Sequence, residues 1–259
     1  MTATTKQYSA QKPTKSLVTL LKKHAGRDGT GQVSISHRGH RQKRYYRQID
    51  FKRDKLEMTA NVVSVEYDPN RNAHISLVRY TDGEVRYIIN AVGLNVGDTV
   101  SSSATAPIKV GNCLPLSKIP TGIEIHNLEI HPGQGAKLIR SAGAFATIVA
   151  HDKGKAQVKL NSGEVKLFSD QVRATIGRVS NIVHKDEIIG KAGRKILMGI
   201  RPTVRGTAQN PRSHPHGGGE GRSGEGMHPK TPWGKPARGV RTRNKRKWTK
   251  SLIISARPR

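Results

Sequence analysis

Cysteine, aromatic residues and long apolar runs are all scarce in this chain of 259 residues. Cys113 is its one cysteine, which excludes an internal disulfide framework of the kind found in small secreted proteins. Aromatic residues make up 4% of the chain, and no apolar stretch approaches the roughly 18 residues that span a bilayer. The first 27 residues lack the apolar segment of a secretory signal, although their acid-poor composition leaves an organelle transit peptide open.

Acidic residues are scarce as well. Asp and Glu total 18 against 46 Lys and Arg, which gives a formal net charge of +28. A charge of this size favours a polyanionic partner and opposes self-association. Nucleic acid, an anionic membrane surface and sulfated glycans are therefore the candidate partners.

The charge is concentrated at the two ends of the chain. Residues 1–55 hold 14 basic and 3 acidic residues, residues 201–259 hold 15 and 2, and residues 56–200 hold 17 and 13. This distribution predicts a folded body between a basic N-terminal extension, 1–55, and a Gly/Pro-rich basic C-terminal extension, 201–259. The C-terminal extension has too few apolar side chains to form a core, so we expect a polyanion to order it.

The body is predicted to be mostly β. Segments rich in β-branched and apolar residues predict strands near 62–67, 74–80, 85–90, 99–100, 144–150, 156–160, 164–168 and 174–179. Residues 101–122 are predicted to be largely loop, and a short helix is predicted at 16–23 in the N-terminal extension. Short strands separated by glycine turns favour two tandem small barrels, at 56–122 and 123–200.

Two basic motifs are candidate phosphate contacts. Residues 37–47 place cations around Tyr45 and Tyr46, which suit stacking on unpaired bases or packing on the adjoining barrel. A solvated, disordered tail is the alternative. Residues 190–195, with the sequence GKAGRK, predict a basic glycine turn that either contacts phosphate or is a plain surface turn.

The segment SHPHGGGEGR at 213–222 permits three interpretations. Its glycines allow the backbone to approach RNA closely and to point N–H groups at phosphates. Alternatively, His214, His216 and His228 form a metal site, although thiolates and regular ligand spacing are lacking. In the third interpretation His214 or His216 acts as a general base, although no paired nucleophile is apparent.

Several blocks, spread from about Lys12 to Arg246, resemble the universal large-subunit ribosomal protein family L-two (L2) in its bacterial or organellar form. They include YYRQIDFKR at 45–53, EYDPNR at 66–71, YTDGEVRYI at 80–88, IKVGNCLPLSKI at 108–119 and HPHGGGEGR at 214–222. The resemblance implies an OB-like barrel followed by an SH3-like barrel and direct binding to large-subunit rRNA. It also implies support of subunit association, of tRNA binding and of assembly of the peptidyl-transferase region. Ser213 stands where the family commonly has Asp, which removes a local Asp–His relay.

These observations together predict a non-enzymatic rRNA-binding constituent of the large ribosomal subunit, in a cytoplasmic or organellar ribosome. We expect no cofactor, metal, membrane partner or homo-oligomer; the expected partners are rRNA, other ribosomal proteins and the small subunit. His214 is retained only as a candidate catalytic residue near the peptidyl-transferase centre. The predicted RNA-binding residues are Arg41, Lys43, Arg44, Arg47, Lys52, Arg53, Lys191, Arg194, Arg201, Arg205, His214, His216, Gly217, Gly218, Gly219, Arg222, Arg241, Arg243, Lys245 and Arg246.

Overall fold

The structure, a computed structural model, describes residues 12–39, 41–244 and 246–258. Its architecture is mostly β, as predicted. The strands are β1 Val18–Leu21, β2 Arg44–Arg47, β3 Thr59–Glu66, β4 Ile75–Tyr80, β5 Val85–Ile89, β6 Thr99–Ser101, β7 Cys113–Pro115, β8 Glu124–His126, β9 Ala146–Asp152, β10 Lys155–Lys159, β11 Val165–Ser169, β12 Arg173–Ile176 and β13 Ile253–Ser255. One α-helix, α1 Ala192–Leu197, and short 3-10 helices at Lys15–Leu17, Leu116–Lys118, Ile182–Asp186, Gly206–Ala208 and Trp248–Lys250 complete the elements in these ranges.

Two compact units divide the chain. Unit 1 comprises Met1–Leu21, Arg44–Ile188 and Trp248–Arg259, and unit 2 comprises Lys22–Lys43 and Ile189–Lys247. Each basic extension therefore contributes to both units. The division into two extensions and two barrels, with boundaries at 55, 122 and 200, remains a prediction.

The first sheet of unit 1 is antiparallel, with strand order β5-β4-β3-β6. The predicted hairpin between β4 and β5 is present, because the Tyr80 N–H donates to the Glu84 C=O at 2.9 Å. Gly83 takes a φ of +86° in this turn, a conformation that glycine adopts without strain. Alternate residues of β3, including Ala60 and Val62, point into a core of buried apolar side chains.

The second sheet of unit 1 is also antiparallel, with strand order β13-β11-β10-β9-β8-β12-β7. Its core contains Leu114, Ile125, Ile148 and Val158, all of which are at most 1% exposed. The predicted strands of both series are confirmed to within a few residues. Neither sheet's order of hydrogen-bonded strands returns to its first strand, so no closed barrel is formed by the described residues.

One local prediction was wrong, and another overlooked a short strand. The helix expected at 16–23 is instead a 3-10 turn followed by β1, whose Val18 pairs with Arg47 of β2. The β-branched residues Val18 and Thr19 favour a strand once a partner strand is available. The passage 101–122 is largely loop, as predicted, but it contains β7, which pairs with β12. Leu114 and Leu116 of this passage are buried in the core of the second sheet.

No helix in the described ranges is long and apolar enough to cross a membrane.

Candidate nucleic-acid interface

Unit 2 brings parts of the two basic extensions together. The Gly39 backbone N–H donates to the Gly199 C=O at 3.1 Å, and the Arg201 N–H donates to the His37 C=O at 2.9 Å. These bonds run between 37–42 in the N-terminal extension and 197–202 near the start of the C-terminal one. The two segments form a junction that charge distribution alone did not predict.

At this junction, two glycines leave room for basic side chains of the opposite segment. A Cβ on Gly199 would lie 2.9 Å from the Cβ of Arg41, and a Cβ on Gly39 would lie 3.4 Å from the Cδ of Arg201. The φ of Gly199 is +92°, which L side chains adopt only with strain. Each basic side chain thus lies against the glycine of the opposite segment, which places Arg41 and Arg201 at one location.

Most of the predicted RNA-binding cations belong to unit 2, and those described there are exposed or half-buried. They are Arg41, Lys43, Lys191, Arg194, Arg201, Arg205, Arg222, Arg241, Arg243 and Arg246; Lys245 lies outside the described residues. Unit 2 holds 21 Lys and Arg against 3 Asp and Glu. Every buried hydrophobic residue lies between Ala60 and Val179, so the described part of unit 2 has a cationic surface and no buried apolar side chain.

The segment 190–195 differs from its prediction in shape. A basic glycine turn was expected, whereas helix α1 begins at Ala192, two residues after Gly190, whose φ is +78°. Gly193 lies within this helix, so the turn was placed too far along the chain. Lys191 and Arg194 are nevertheless both exposed, and they remain available to a phosphate.

Two predicted contacts in unit 1 point inward. Arg53 is only 6% exposed, and its Nη2 donates to the Gly111 C=O at 3.4 Å. The Arg47 side chain is 11% exposed, and its Nη1 donates to the Tyr45 C=O at 2.9 Å. We therefore interpret Arg53 and Arg47 as internal braces of unit 1, held by backbone carbonyls.

The surface of unit 1 near β2 retains several predicted groups. Lys52 is exposed and Arg44 is half-buried. Tyr45 and Tyr46 are 44% and 37% exposed on β2, so stacking on an unpaired base is sterically open to them.

His214 and His216 are buried, at 8% and 7% exposure, and their rings stack with centroids 5.1 Å apart. Nδ1 of His216 lies 2.9 Å from the Glu225 C=O, and its Nε2 accepts the Lys230 N–H at 2.8 Å. A metal or a reacting proton would have to displace one of these partners. The part of the chain that the structure describes contains no group of three or more His, Cys, Asp or Glu side chains placed to hold a metal ion.

The glycine run is tightly packed at its start and open at its end. A Cβ on Gly217 would lie 2.4 Å from the Asn210 C=O oxygen, so only glycine fits there. Gly219 and Gly221 have φ of +94° and +62°, whereas the residues between and after them have negative φ. Among the described residues, the backbone N–H groups of 220–222 have no hydrogen-bond partner. Alternation of right- and left-handed helical backbone is the arrangement by which successive N–H groups form anion-binding concavities in proteins.

Sequence reasoning missed two arginines that flank an aromatic ring. The guanidinium carbon of Arg140 lies 4.9 Å from the Phe51 ring centroid, and that of Arg71 lies 5.9 Å from it. Arg71 Nε also donates to an Asp68 carboxylate oxygen at 2.6 Å. Stacking on a ring fixes the orientation of a guanidinium. Neither arginine lies in a charge run, so their arrangement is visible only in three dimensions.

Comparison with known families gives two matches. A family model described as "Ribosomal Proteins L2, RNA binding N-terminal domain" matches residues 14–102. A second, described as "Ribosomal Proteins L2, C-terminal domain", matches residues 109–234. Together they cover most of the chain, including the whole first sheet, β7 to β12 and the glycine run.

Proposed function

Since the chain belongs to the ribosomal protein L2 family, and is thus an RNA-binding protein of the large ribosomal subunit, we propose that unit 2 is its main contact with large-subunit rRNA. The observation that carries this proposal is the composition of unit 2, with 21 basic and 3 acidic residues and no buried apolar side chain in its described part. Such a unit gains its stabilisation from charge neutralisation rather than from a core.

The exposed and half-buried cations, together with Lys245, which lies outside the described residues, contact phosphates. Arginine presents a planar fork that pairs with two phosphate oxygens, and lysine acts as a compact point charge. The proposed contacts are Arg41, Lys43, Arg44, Lys52, Lys191, Arg194, Arg201, Arg205, Arg222, Arg241, Arg243, Lys245 and Arg246. Arg47 and Arg53 are removed from this set because their guanidinium groups are occupied inside unit 1.

The glycine run supplies a different contact. Three unpartnered backbone N–H groups at 220–222 suit a single phosphate, and the neighbouring Arg222 side chain adds charge. Gly217, Gly218 and Gly219 serve mainly to let the chain pass close to neighbouring residues, since a Cβ at each would meet an atom of Asn210, Pro211 or Ser223 within 2.7 Å. These roles are our assignment for the motif.

Unit 1 contributes oriented groups. Arg71 and Arg140, stacked on Phe51, are pre-ordered for phosphate oxygens, so less side-chain entropy is lost on binding. Tyr45 and Tyr46 stack on unpaired bases.

The chain acts without catalysis or cofactor, as a member of a structural ribosomal family. Through its rRNA contacts it supports subunit association, tRNA binding and assembly of the peptidyl-transferase region, with the small subunit and other ribosomal proteins as neighbours. It works as a single copy within the ribosome. Support for the non-catalytic assignment comes from the His216 nitrogens, which are both engaged, and from Ser213, which offers no carboxylate.

Competition binding tests this proposal. The purified chain is bound to transcribed large-subunit rRNA at physiological salt, and duplex DNA of equal nucleotide concentration is added as competitor. A protein that recognises folded RNA retains the rRNA, whereas a general polyanion binder is displaced in proportion to the DNA added. Co-sedimentation with large subunits in a high-salt gradient is the cellular counterpart, and its absence would overturn the assignment.

A further inference from the structure

Two histidines form the buried centre of a unit that otherwise lacks one. In the described part of unit 2, His214 and His216 are enclosed at 8% and 7% exposure while no hydrophobic side chain is buried. Their rings stack at 5.1 Å with an interplanar angle of 28°. Because the two rings are buried, they do not serve as part of the exposed cationic surface of unit 2.

The tautomer of His216 follows from its two partners. Its Nδ1 faces the Glu225 C=O at 2.9 Å, and since a carbonyl only accepts, Nδ1 carries the hydrogen. Its Nε2 accepts the Lys230 N–H at 2.8 Å and is therefore unprotonated. The ring is thus neutral, and it joins two positions on the far side of the glycine run. It closes residues 217–229 into a loop.

The tautomer of His214 is the opposite one. Its Nδ1 accepts the backbone N–H of His216 at 3.0 Å, so the ring hydrogen sits on Nε2. The ring lies over Gly206, where a Cβ would come within 2.5 Å of Cε1. Among the described residues the Nε2–H has no hydrogen-bond partner, and Nε2 is not one of the fully buried unpaired nitrogen and oxygen atoms. A Cβ on Gly206 would lie 2.8 Å from it.

We propose that His214 is a neutral hydrogen-bond donor, through Nε2–H, to a phosphodiester oxygen of rRNA, and that His216 is the residue that positions it. This inference rests on the proposed function. To act as a general base at Nε2, His214 would need its ring hydrogen on Nδ1. Two N–H donors, Nδ1–H and the His216 N–H, would then face each other. The assignment therefore gives His214 a binding role in place of the candidate catalytic one.

A neutral donor has a distinguishable signature in binding. Loss of a cation that neutralises a phosphate lowers the salt dependence of affinity by about one unit of slope. Loss of a neutral donor lowers affinity but leaves that slope unchanged, because no counterion is involved. One net hydrogen bond corresponds to a change of about three- to tenfold.

The first test reads the tautomers directly. Nitrogen-15 NMR of the imidazole rings in the full chain at neutral pH is expected to show hydrogen on Nε2 of His214 and on Nδ1 of His216. The opposite assignment at His214 overturns the proposal. This measurement needs no variant and is independent of any loss of folding.

The second test uses matched variants and transcribed large-subunit rRNA. His214→Phe keeps the stacked ring but removes both the Nε2–H donor and the acceptor for the His216 N–H; it is expected to weaken binding about three- to tenfold with an unchanged salt slope. His214→Gln places an amide N–H near the position of Nε2 and is expected to bind within twofold of wild type. Arg222→Gln is the control for the proposed function, and it should weaken binding and reduce the salt slope. If it does so while His214→Phe binds rRNA with wild-type affinity, the role of His214 is refuted and the proposed function still stands. A reduced slope for His214→Phe also refutes it.

Discussion

The backbone N–H of Gly39 donates to the C=O of Gly199 at 3.1 Å, and this bond joins segments from the two basic ends of the protein. The bond belongs to a junction in which Arg41 lies against Gly199 and Arg201 lies against Gly39. The extensions are therefore not two independent tails. Residues 22–43 of one and 201–247 of the other belong to one cationic unit. Backbone atoms make the pairing in this unit, since it has no buried apolar side chains in its described part.

Replacing Gly199 with Ala is expected to weaken this junction. The φ of +92° and the 2.9 Å approach to the Arg41 Cβ both disfavour a side chain, at a cost of about 1 to 2 kcal/mol. Limited proteolysis should then cleave residues 22–43 faster, and rRNA affinity should fall severalfold. Gly193→Ala is the matched control, because a Cβ there meets open space and alanine favours helix α1. If the protease cleaves residues 22–43 at the same rate in both variants, the junction does not hold this segment in place.

Replacing Arg140 with Gln is expected to remove a phosphate contact. Binding to rRNA should weaken, and the slope of log affinity against log salt should become shallower by about one unit. Phe51→Leu should weaken binding with a smaller change of slope, because the guanidinium remains but loses the ring it stacks on. Lys118→Gln, at an exposed position of unit 1, is the charge-matched control. If Lys118→Gln changes the rRNA affinity and the salt slope as much as Arg140→Gln does, the orientation of Arg140 by Phe51 has no role in binding.

The stability of unit 1 is expected to fall in mild acid because of His126. This side chain is fully buried, and burial lowers its pKa to about 4 from an ordinary value of 6.5. Below pH 6.5 the unfolded chain takes up a proton that the folded chain refuses, so stability declines as pH falls from 6.5 towards 4, by roughly 2 to 4 kcal/mol in total.

Denaturant unfolding at pH 7, 6 and 5 measures this decline. His126→Asn keeps a donor for the Gly177 C=O, which lies 2.8 Å from Nδ1 in the wild type, and it has no titrating ring. It should be less stable at pH 7 but show a flatter pH dependence. Parallel curves for the two proteins would exclude His126 as the cause. The comparison is best made above pH 4.5, because Asp54 and Glu84, whose pKa values are lowered chiefly by hydrogen bonds from Arg86, add their own loss below it.

Deleting residues 201–259 is expected to separate folding from RNA binding. Among the described residues, every buried hydrophobic side chain lies between Ala60 and Val179, so the shortened chain should keep one cooperative thermal transition. Loss of β13, which pairs with β11 at the edge of the second sheet, should lower its midpoint modestly. Affinity for rRNA should fall at least tenfold, with a shallower salt slope, since 15 basic residues are removed. A chain without any cooperative transition would contradict the prediction.

Local sequence determined much of unit 1. Alternating β-branched residues such as those of β3 and β4, and turns such as Thr81-Asp82-Gly83 and Asp152-Lys153-Gly154, specify strands and hairpins through interactions between near neighbours. The concentration of charge at the two ends likewise follows from counting residues, and it indicated a polyanionic partner. The sequence blocks that resemble the L2 family indicated the ribosomal family, which the family models confirm. These features could be predicted because their causes lie within a few residues of one another.

Contacts between distant segments decided the rest. Val18–Leu21 is a strand because Arg44–Arg47 pairs with it, and Arg53 is internal because Gly111 accepts its guanidinium. The stacking of Arg140 on Phe51 also joins residues far apart in sequence, whereas the closure of the glycine run by His216 reaches only as far as Lys230. Composition determined that this protein carries a cationic surface; only tertiary structure decided which cations lie on it, because burial and hydrogen-bond partners are properties of the folded chain.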